Sequence, residues 1–439
     1  KMAKSNTTEQ ALEATIEKQL CGVSLEELKL RGNSLQEPLE NYGDHNGFYI
    51  GNKSDFNSKY ALDENHFWTF LEETQAEELA TLKKASDWKV IILDRFDRMA
   101  KKYGVLHLLK KGLEIDDIKL TLFYESPLAS SSETIKKRFK WNRFSVTRQV
   151  NYSLDNPREE VDMVLFLNGI PLVTMELKNH WTGQNARVHG QNQYKTQRDK
   201  TQPLLQFARC LVHMAVDTEE VFMTTKLNGK DTFFLPFNKG NNFGKGNPPN
   251  PFGHRTNYLW EEVFTKESLA NIVQHFVRLD GKPSEALSKK TLFFPRYHQL
   301  DVVRKLVNHA AENGLGQTYL IQHSAGSGKS NSITWVAFQL IETYPKSLST
   351  VGQRGLDHPL FDSAIVVTDR RLLDKQIKEN IKNFSEVKNI IAHADSSRDL
   401  RESLEQGKKI IISTIQKFPF IVDGIADLSD KRFAVIIDE

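Results

Sequence analysis

Cysteine, long apolar runs and charge of one sign are all scarce in this 439-residue sequence, and each scarcity excludes a class of protein. The two cysteines, Cys21 and Cys210, match no metal-binding or redox spacing, so we interpret them as plain thiols in a reducing, cytoplasmic environment. No run of about 18 apolar residues is present, and residues 1–10 are polar. We therefore predict neither a membrane helix nor a signal peptide.

The overall composition is that of a globular protein with nearly balanced charge. Lysine and arginine total 59 and aspartate and glutamate 56, which leaves a formal net charge of +3. This balance permits nucleic-acid binding but does not argue for it. With 39% hydrophobic and 26% charged residues, a chain of this length favours two or three domains, each with its own core.

The residue pattern divides the chain into three predicted regions. Residues 1–236 mix short apolar runs with polar loops and favour a mixed α/β domain, with an amphipathic helix over residues 8–20. Residues 237–285 join a loop rich in Gly, Asn and Pro to one amphipathic helix. Residues 286–439 alternate short apolar runs with helices, which predicts a parallel α/β sheet. The chain stops at Glu439, directly after a predicted strand, so we expect a fragment of a longer protein.

The stretch "QTYLIQHSAGSGKS" predicts a strand, then a phosphate-binding loop that leads into a helix. Gly326 and Gly328 allow backbone N–H groups to face phosphate oxygens, and the helix N-terminus adds partial positive charge. Lys329 would contact the β- and γ-phosphates of ATP, and Ser330 would hold Mg²⁺. The predicted nucleotide site comprises Ser324, Ala325, Gly326, Ser327, Gly328, Lys329 and Ser330. His323 replaces the usual first glycine, and the alternative is a glycine-rich turn that binds nothing.

An acidic pair supports the nucleotide hypothesis. Asp438 and Glu439 follow the apolar run "FAVII", where a magnesium-holding aspartate and a water-positioning glutamate of an ATPase would stand. Each motif alone is only moderate evidence. The loop followed by the acidic pair, both at strand ends, favours an ATPase over a turn without a ligand.

Three further residues are candidates for ligand contacts. Gln299, in "RYHQ", is a candidate for adenine recognition, although it equally fits the polar start of a helix. Arg370 and Arg371, in "VTDRRLLDKQ", are candidate contacts to a nucleic-acid backbone, or else the solvated start of a helix. Together with the loop and the acidic pair, these stretches resemble the first RecA-like motor domain of superfamily-2 helicases and translocases.

A second chemistry is predicted on a hairpin formed by "VDMVLFL", the turn "NGIP" and "LVTMELK". Glu176 and Lys178 are two residues apart and point to the same face, and pairing brings Asp162 within a residue or two of Glu176. Two carboxylates suit Mg²⁺, which lowers the pKa of an attacking water, while Lys178 neutralises developing charge. The alternative is a buried ion pair or a solvated strand end.

The Asp and Glu-x-Lys pattern resembles the core of PD-(D/E)xK nucleases. The stretch "ARVHGQNQYKTQRDK" follows it and predicts a basic helix that either runs along a phosphate backbone or is a solvated face. A nuclease hairpin, a loop and a superfamily-2 motor occur in this order in the restriction (HsdR, R) subunit of type I restriction–modification enzymes. The resemblance is carried by "MELKN", "CLVHMAVDTEEVFMTTKL", "FLPFNKGNN", "YLWEEV", "RYHQLDVVRKL" and "YLIQHSAGSGKSNSI".

The resemblance implies a PD-(D/E)xK-type nuclease domain, a mixed sheet with flanking helices, followed by a truncated RecA-like parallel α/β motor. Its implied nuclease residues are Asp162, Glu176 and Lys178, with Asp162 and Glu176 as metal ligands. Its implied ATPase residues are Gln299, the loop from Ser324 to Ser330, Asp438 and the catalytic Glu439, with Ser330 and Asp438 on Mg²⁺. A glutamate of the early helix, Glu13 or Glu17, is a further candidate ligand.

Many members of that family also carry a Gln-x-x-x-Tyr motif. Tyr194 matches its tyrosine and is a candidate DNA contact, whereas Gly190 stands in place of the glutamine. Gln191 and Gln193 are the nearby amides, and which of them substitutes is open.

The function implied by the resemblance is ATP-dependent translocation of double-stranded DNA, with cleavage of unmethylated DNA away from the recognition site. The implied partners are the methyltransferase and specificity subunits of the same system. A repair helicase–nuclease acting on DNA ends, a DNA-remodelling ATPase without nuclease activity and a binding subunit with an inactive nucleotide site are the alternatives.

Overall fold

A computed structural model describes residues 9–32, 46–127, 131–179, 182–282, 284–347, 354–368, 377, 381, 391–420 and 428–438. The chain separates into two compact units. The first unit comprises Lys1–Ser126, Glu133–Val277 and Ser284–Arg296, and the second comprises Pro127–Ser132, Arg278–Pro283 and Tyr297–Glu439. Most of the predicted connector, residues 237–277, therefore belongs to the first unit.

The first unit begins with an amphipathic helix, as the sequence predicts. Its inner face carries Leu12, Ile16 and Leu20, and Glu13 and Glu17 are buried on the same side. The helices of this unit are α1 (Glu9–Cys21), α2 (Leu25–Arg31), α3 (Glu64–Thr74), α4 (Ala76–Leu82), α5 (Trp88–Tyr103), α6 (Val105–Lys111), α7 (Glu133–Lys140) and α8 (Lys266–His275). Shorter helical segments are Lys53–Asp55, Ala186–Gly190, Gln193–Gln197, Pro203–Leu205, Leu259–Val263 and Leu287–Lys289.

One mixed sheet organises the first unit. Among the described residues, seven of its strands pair in the order β1-β6-β7-β8-β9-β10-β11, and β2 with β3 and β4 with β5 form separate pairs. The strands up to residue 293 are β1 (Tyr49–Ile50), β2 (Phe56–Asn57), β3 (Leu62–Asp63), β4 (Leu113–Ile115), β5 (Ile118–Leu120), β6 (Phe144–Asn151), β7 (Glu160–Leu167), β8 (Ile170–Leu177), β9 (Val212–Val216), β10 (Val221–Thr224), β11 (Leu235–Pro236), β12 (Arg278–Asp280) and β13 (Thr291–Phe293).

The predicted hairpin is the centre of this sheet. β7 and β8 pair antiparallel, and β8 is buried along its whole length because β9 pairs parallel on its other side. The turn is Asn168-Gly169, whose φ angles of 51° and 77° are the left-handed values that a tight two-residue hairpin requires. A Cβ at position 169 would lie 2.3 Å from the backbone oxygen of Asp63, so glycine is required there.

One apolar cluster of the first unit joins the sheet to the segment that connects β8 to β9. Apolar side chains of β6 and β7 pack there against residues of the helical segments after β8. The members of this cluster with no exposed surface are Ala61, Val150, Tyr152, Val161, Val164, Phe166, Ala186, Tyr194, Leu204 and Ala215.

The second unit contains the predicted parallel sheet. Its strands are β14 (Ser363–Thr368), β15 (Ile391–His393), β16 (Ile410–Thr414) and β17 (Phe433–Asp438), in the order β15-β16-β14-β17. All of these pairings are parallel, which confirms the prediction from the short apolar runs. Its helices are α9 (Tyr297–Asn313), α10 (Lys329–Leu340) and α11 (Ser397–Glu405), with a further helical turn at Ile415–Phe420.

The strand predicted before the glycine loop is wrong for this structure. Residues 317–322 form no strand, and Leu320 is 96% exposed. One edge of the described sheet is β17, on which Val435 and Ile437 are 57% and 69% exposed. A run of three apolar residues, 319–321, has strand propensity, but a strand forms only when a neighbour supplies its hydrogen bonds.

The helices that the structure describes include none with both the length and the apolar character needed to cross a membrane.

Candidate functional site

The hairpin brings the predicted acids together. Met163 pairs with Met175, so Asp162 and Glu176 are one step further along the same register. The Oδ2 atom of Asp162 accepts a hydrogen bond from the backbone N–H of Leu177 at 2.7 Å. The prediction that pairing places Asp162 beside Glu176 is therefore confirmed, because an antiparallel register fixes which residues face each other.

Glu176 is held by a residue that the sequence did not assign to it. Its side chain has no exposed surface, and Arg198 donates from Nε to Oε1 at 2.6 Å and from Nη2 to Oε2 at 3.1 Å. The pKa of Glu176 is raised to about 8, mainly by burial and also by the charge of Asp162, while Arg198 and Lys178 oppose the rise. Arg198 thus compensates a buried carboxylate at the centre of the hairpin site.

Lys178 is tied to the first helix. Its Nζ atom lies 3.2 Å from Oε1 of Glu9, in the first turn of α1. The lysine side chain is mostly buried, whereas Glu9 is one-third exposed. The helix therefore fixes the ammonium group next to the strand that carries Glu176.

The two buried glutamates of α1 converge on Arg148 of β6. Arg148 donates from Nε to Glu13 Oε2 at 2.8 Å and from Nη1 to Glu17 Oε1 at 3.3 Å. Burial is the main cause of the raised pKa of both glutamates, and that of Glu17 reaches about 7. The charge of Asp162 also raises the pKa of Glu13, so Glu13 lies near the hairpin acids.

The donor set fits a magnesium ion in its chemistry. Asp162 and Glu176 offer carboxylate oxygens, the ligands that Mg²⁺ prefers, and Glu13 is a third carboxylate close by. Within the described ranges no group of three or more His, Cys, Asp or Glu side chains has an arrangement that could hold a metal. In this structure Arg198 is paired with Glu176 and Arg148 with Glu13.

Tyr194 lies inside the core, so we correct the expectation that it contacts DNA. It has no exposed surface, and its hydroxyl lies 2.8 Å from Oγ1 of Thr174. The same Oγ1 atom lies 2.7 Å from Nδ1 of His213, whose pKa is lowered to about 3 by burial. The three side chains form a neutral network that braces β8 two residues before Glu176.

Gly190 faces the lysine of the site. A Cβ at this position would lie 3.0 Å from Cβ of Ala215 and 3.6 Å from Cγ of Lys178. The glycine therefore lets the helical segment Ala186–Gly190 pack closely on β9. An amide side chain at position 190, as in the Gln-x-x-x-Tyr motif, would not fit this packing.

The predicted basic helix is present over residues 186–197, with π-helical turns, but two of its cations are engaged. Arg187 pairs with Glu220 at 2.6 Å, and Arg198 pairs with Glu176. The stretch therefore presents less positive charge to a ligand than its composition suggests, because these two arginines are paired with carboxylates of the protein itself.

The glycine loop turns sharply before α10. Gly326 and Gly328 have φ angles of 72° and 83°, and Ser327 N–H donates to the Ser324 carbonyl at 3.2 Å. Gly328 precedes α10, so Lys329 and Ser330 form the first turn of that helix. Ser324, Ala325 and Lys329 are exposed, which leaves the loop open to solvent on that side.

Two residues of α9 hold the loop. Gln299 is buried, and its Nε2 atom donates to the carbonyls of Ser327 and Gly328, each at 3.2 Å. The Nε2 atom of His298 lies 2.9 Å from the same Ser327 oxygen, and its ring meets that of His323 edge-on. An adenine contact by Gln299 stays a prediction, whereas its contact with the loop is part of the structure.

The acidic pair is only partly described. Asp438 ends β17 and pairs in register with Thr368, and α10 contacts both β14 and β17. Glu439, Arg370 and Arg371 lie outside the described residues, so their predicted roles stay predictions.

Two family models match this chain, each over a different range of residues. Residues 45–232 match the family described as Type I restriction enzyme R protein N terminus. The chain is therefore similar to type I restriction enzyme R proteins over this range, which is less than half of its length. Residues 298–439 match the family described as SWI2/SNF2 ATPase. The β7–β8 hairpin lies in the first matched range and the glycine loop in the second.

Curated R protein relatives come from distant organisms. A candidate type I restriction enzyme endonuclease subunit of Methanocaldococcus jannaschii is 28% identical over 318 residues, which cover 64% of this chain and 27% of the relative. The type I restriction enzyme HindI endonuclease subunit of Haemophilus influenzae is 26% identical over 285 residues, 63% of this chain and 25% of the relative. The chain therefore spans about a quarter of the length of these relatives.

Sequence patterns contain no signal for several residues of this candidate site. Arg148 and Arg198 are separated from their carboxylate partners by 22 to 135 positions, so spacing along the chain does not connect them. Thr174 and His213 do leave a trace, because each is a polar residue within an otherwise apolar strand. Such a residue needs a buried hydrogen-bond partner.

Proposed function

We propose that this chain is the nuclease and first motor portion of a type I restriction subunit. In this proposal a PD-(D/E)xK-type site cuts DNA and a RecA-like domain binds ATP. The observation that carries the proposal is the register of β7 on β8, which places Asp162 and Glu176 opposite each other with Lys178 two residues further on. The family matches over both units support it independently.

The chain's own residues prepare the hairpin for phosphodiester hydrolysis. When bound, Mg²⁺ supplies a water of lowered pKa and neutralises charge on the scissile phosphate. Asp162 and Glu176 would hold the ion, and the N–H of Leu177 orients the Asp162 carboxylate by its hydrogen bond. Lys178 would stabilise the charge that develops on phosphate oxygens, and Glu9 keeps its ammonium group in place.

The second unit would convert ATP hydrolysis into movement along double-stranded DNA. Backbone N–H groups of the loop at 326–328 and the N-terminus of α10 would bind phosphates, with Lys329 on the β- and γ-phosphates. Ser330 and Asp438 would hold Mg²⁺, with Glu439 beside the attacking water. Gln299 positions the loop through two carbonyls, and this contact would link adenine recognition to phosphate binding.

In the cell, we expect the full subunit to work with methyltransferase and specificity subunits. The specificity subunit would read the DNA site, unmethylated DNA would be the substrate, and cleavage would follow translocation. These expectations concern a whole restriction subunit, whereas this chain matches only about a quarter of the length of its relatives.

The deciding experiment uses the full-length subunit assembled with its partner subunits. Cleavage of an unmethylated circular plasmid would be followed with Mg²⁺, with and without ATP, for wild type, Glu176→Ala and Lys329→Ala. We expect wild type to cut only with ATP, Glu176→Ala to hydrolyse ATP without cutting, and Lys329→Ala to lose both activities. Loss of ATP hydrolysis in a folded Glu176→Ala protein would contradict separate sites.

A DNA-remodelling ATPase without nuclease activity is the second candidate, because the ATPase segment matches the SWI2/SNF2 family. In that case Asp162, Glu176 and Arg198 would be a structural ion network. The same experiment separates the two, since wild type would then hydrolyse ATP and leave the plasmid intact.

A further inference from the structure

The guanidinium of Arg198 covers the carboxylate of Glu176. Both Glu176 oxygens accept hydrogen bonds from it, at 2.6 and 3.1 Å, and the two side chains are almost completely buried. Arg198 directly follows the helical segment Gln193–Gln197 and has an extended backbone, and its guanidinium also lies 5.7 Å from the ring centre of Tyr152. A bidentate arginine–carboxylate pair of this kind is a strong and directional contact.

This contact uses the atoms that a metal ion needs. A magnesium ion binds carboxylate oxygen at about 2.0–2.1 Å and requires near-octahedral geometry. A guanidinium that donates to both oxygens of Glu176 occupies the directions in which that ion would approach. The guanidinium of Arg198 and the magnesium ion would also repel each other, because both would lie against the same buried carboxylate.

From this geometry we infer that Arg198 is an internal counter-ion that competes with the divalent metal for Glu176. The inference rests on the proposed nuclease function, because it concerns the metal of that site. Arg198 holds the hairpin site closed without metal, and metal binding displaces the guanidinium from Glu176. Arg198 is in this sense a positioning residue and does not take part in the chemical step.

The surrounding charges explain why an internal cation is needed. Asp162 lies beside Glu176 on the paired strand, and Glu13 and Glu9 approach from α1. Arg148 is engaged with Glu13 and Glu17, and Lys178 with Glu9, so Arg198 is the cation that contacts Glu176 in the described residues. A buried carboxylate without a partner strongly destabilises a fold, and the pair removes that penalty until metal arrives.

The test is a metal-binding measurement on the full-length subunit without nucleotide or DNA. Mn²⁺ serves as the probe, and the free ion is quantified by electron paramagnetic resonance at the same fixed pH for every protein. The proteins are wild type, Arg198→Met, Glu176→Gln and the double variant. Mn²⁺ binding that wild type shows and Glu176→Gln lacks is assigned to the hairpin site.

We expect Arg198→Met to bind Mn²⁺ at least about ten-fold more tightly than wild type, since it removes a competing charge next to the ion. The gain should vanish in the Glu176→Gln background, because without that carboxylate there is nothing to compete for. Arg198→Lys keeps the charge but loses the two-pronged contact, and its affinity should lie between those of wild type and Arg198→Met. It also serves as the test protein if Arg198→Met does not fold.

Other outcomes overturn the inference. Unchanged or weaker Mn²⁺ binding in the Arg198 variants, with normal dependence on Glu176, would reject competition and leave the proposed nuclease site standing. A gain that persists in the double variant would place the effect outside Glu176. Absence of binding in every variant would reject both the competition and the metal site.

Discussion

Arg148 of β6 joins Glu13 and Glu17 of α1 in one buried ion cluster, with Nε of the arginine 2.8 Å from Oε2 of Glu13. The same guanidinium contacts Glu26 of α2 at 2.9 Å. Two helices that precede the sheet in sequence are thereby fixed to one strand of it. Because Glu9 of α1 holds Lys178, the cluster also fixes the position of a proposed nuclease residue.

The first prediction concerns this cluster. Arg148→Met should lower the free energy of unfolding of the first unit by about 3–5 kcal/mol, because two buried glutamates lose their counter-ion. Urea denaturation followed by circular dichroism measures the change. Arg187→Met is the matched control, since its pair with Glu220 is largely exposed and should contribute less than about 1 kcal/mol. Equal effects of the two substitutions would show that the buried cluster has no special role.

The second prediction concerns pH and His213. Burial lowers the pKa of this histidine from 6.5 to about 3, so the unfolded chain binds a proton between these values and the folded protein does not. The stability that the neutral, buried His213 side chain contributes to the fold is therefore fully present above pH 6.5, and it is lost as the pH falls below that value. His213→Gln has no such loss. Its stability deficit relative to wild type should shrink by about 1.4 kcal/mol for each pH unit below 6.5.

Urea denaturation of both proteins at several pH values checks this prediction. Other titrating groups, such as Glu17 and Asp63, are common to both proteins and cancel in the difference. A deficit that stays constant across the range would show that His213 takes up its proton in the folded state.

The third prediction concerns backbone strain at Phe243. This residue is fully exposed and has a φ of 63°, a left-handed value that costs an ordinary side chain about 1–2 kcal/mol. Phe243→Gly should therefore leave the melting temperature unchanged or raise it, despite the entropy of glycine. Phe252 is also exposed but is not among the residues with positive φ, so Phe252→Gly should lower the melting temperature slightly. The same loss of stability in both variants would contradict strain at Phe243.

The fourth prediction concerns the departure from the Gln-x-x-x-Tyr motif. Gly190→Gln should destabilise the first unit by about 1–3 kcal/mol, because its Cβ would press on Ala215 and its side chain on Lys178. Val188 lies in the same helical segment and is exposed, so Val188→Gln should change stability by no more than about 0.5 kcal/mol. Thermal melting of the two variants measures the difference. If Gly190→Gln leaves the melting temperature unchanged, the helical segment Ala186–Gly190 moves away from β9 at little cost.

Local patterns in the sequence predicted much of the fold. The Asn168-Gly169 turn between two apolar runs specified the central hairpin, and short apolar runs specified the parallel strands β14, β16 and β17. The strand at 317–322 was wrong because pairing, which a short apolar run does not encode, decides whether a strand forms. The burial of Tyr194 was missed for a related reason, since a tyrosine in a basic stretch gives no sign that it faces the core.

The candidate site was predictable in its acids but not in its counter-ions. Asp162 and Glu176 are connected by strand pairing, which a hairpin pattern reveals. Arg198 reaches Glu176 from a separate helical segment, and Arg148 reaches Glu13 from a strand distant in sequence. Such contacts arise only when the chain is folded.

The hairpin turn makes the chemistry of the site depend on residues that never touch it. Side chains alternate along a strand, so a slip of β8 by one residue would direct Leu177 to the site and turn Glu176 and Lys178 to the opposite face. The Asn168-Gly169 turn and the irregular pairing between Leu165 and Phe166 together determine that alignment. The turn therefore determines how the acids are arranged, and a mutation in it could abolish the proposed nuclease activity without changing any proposed active-site residue.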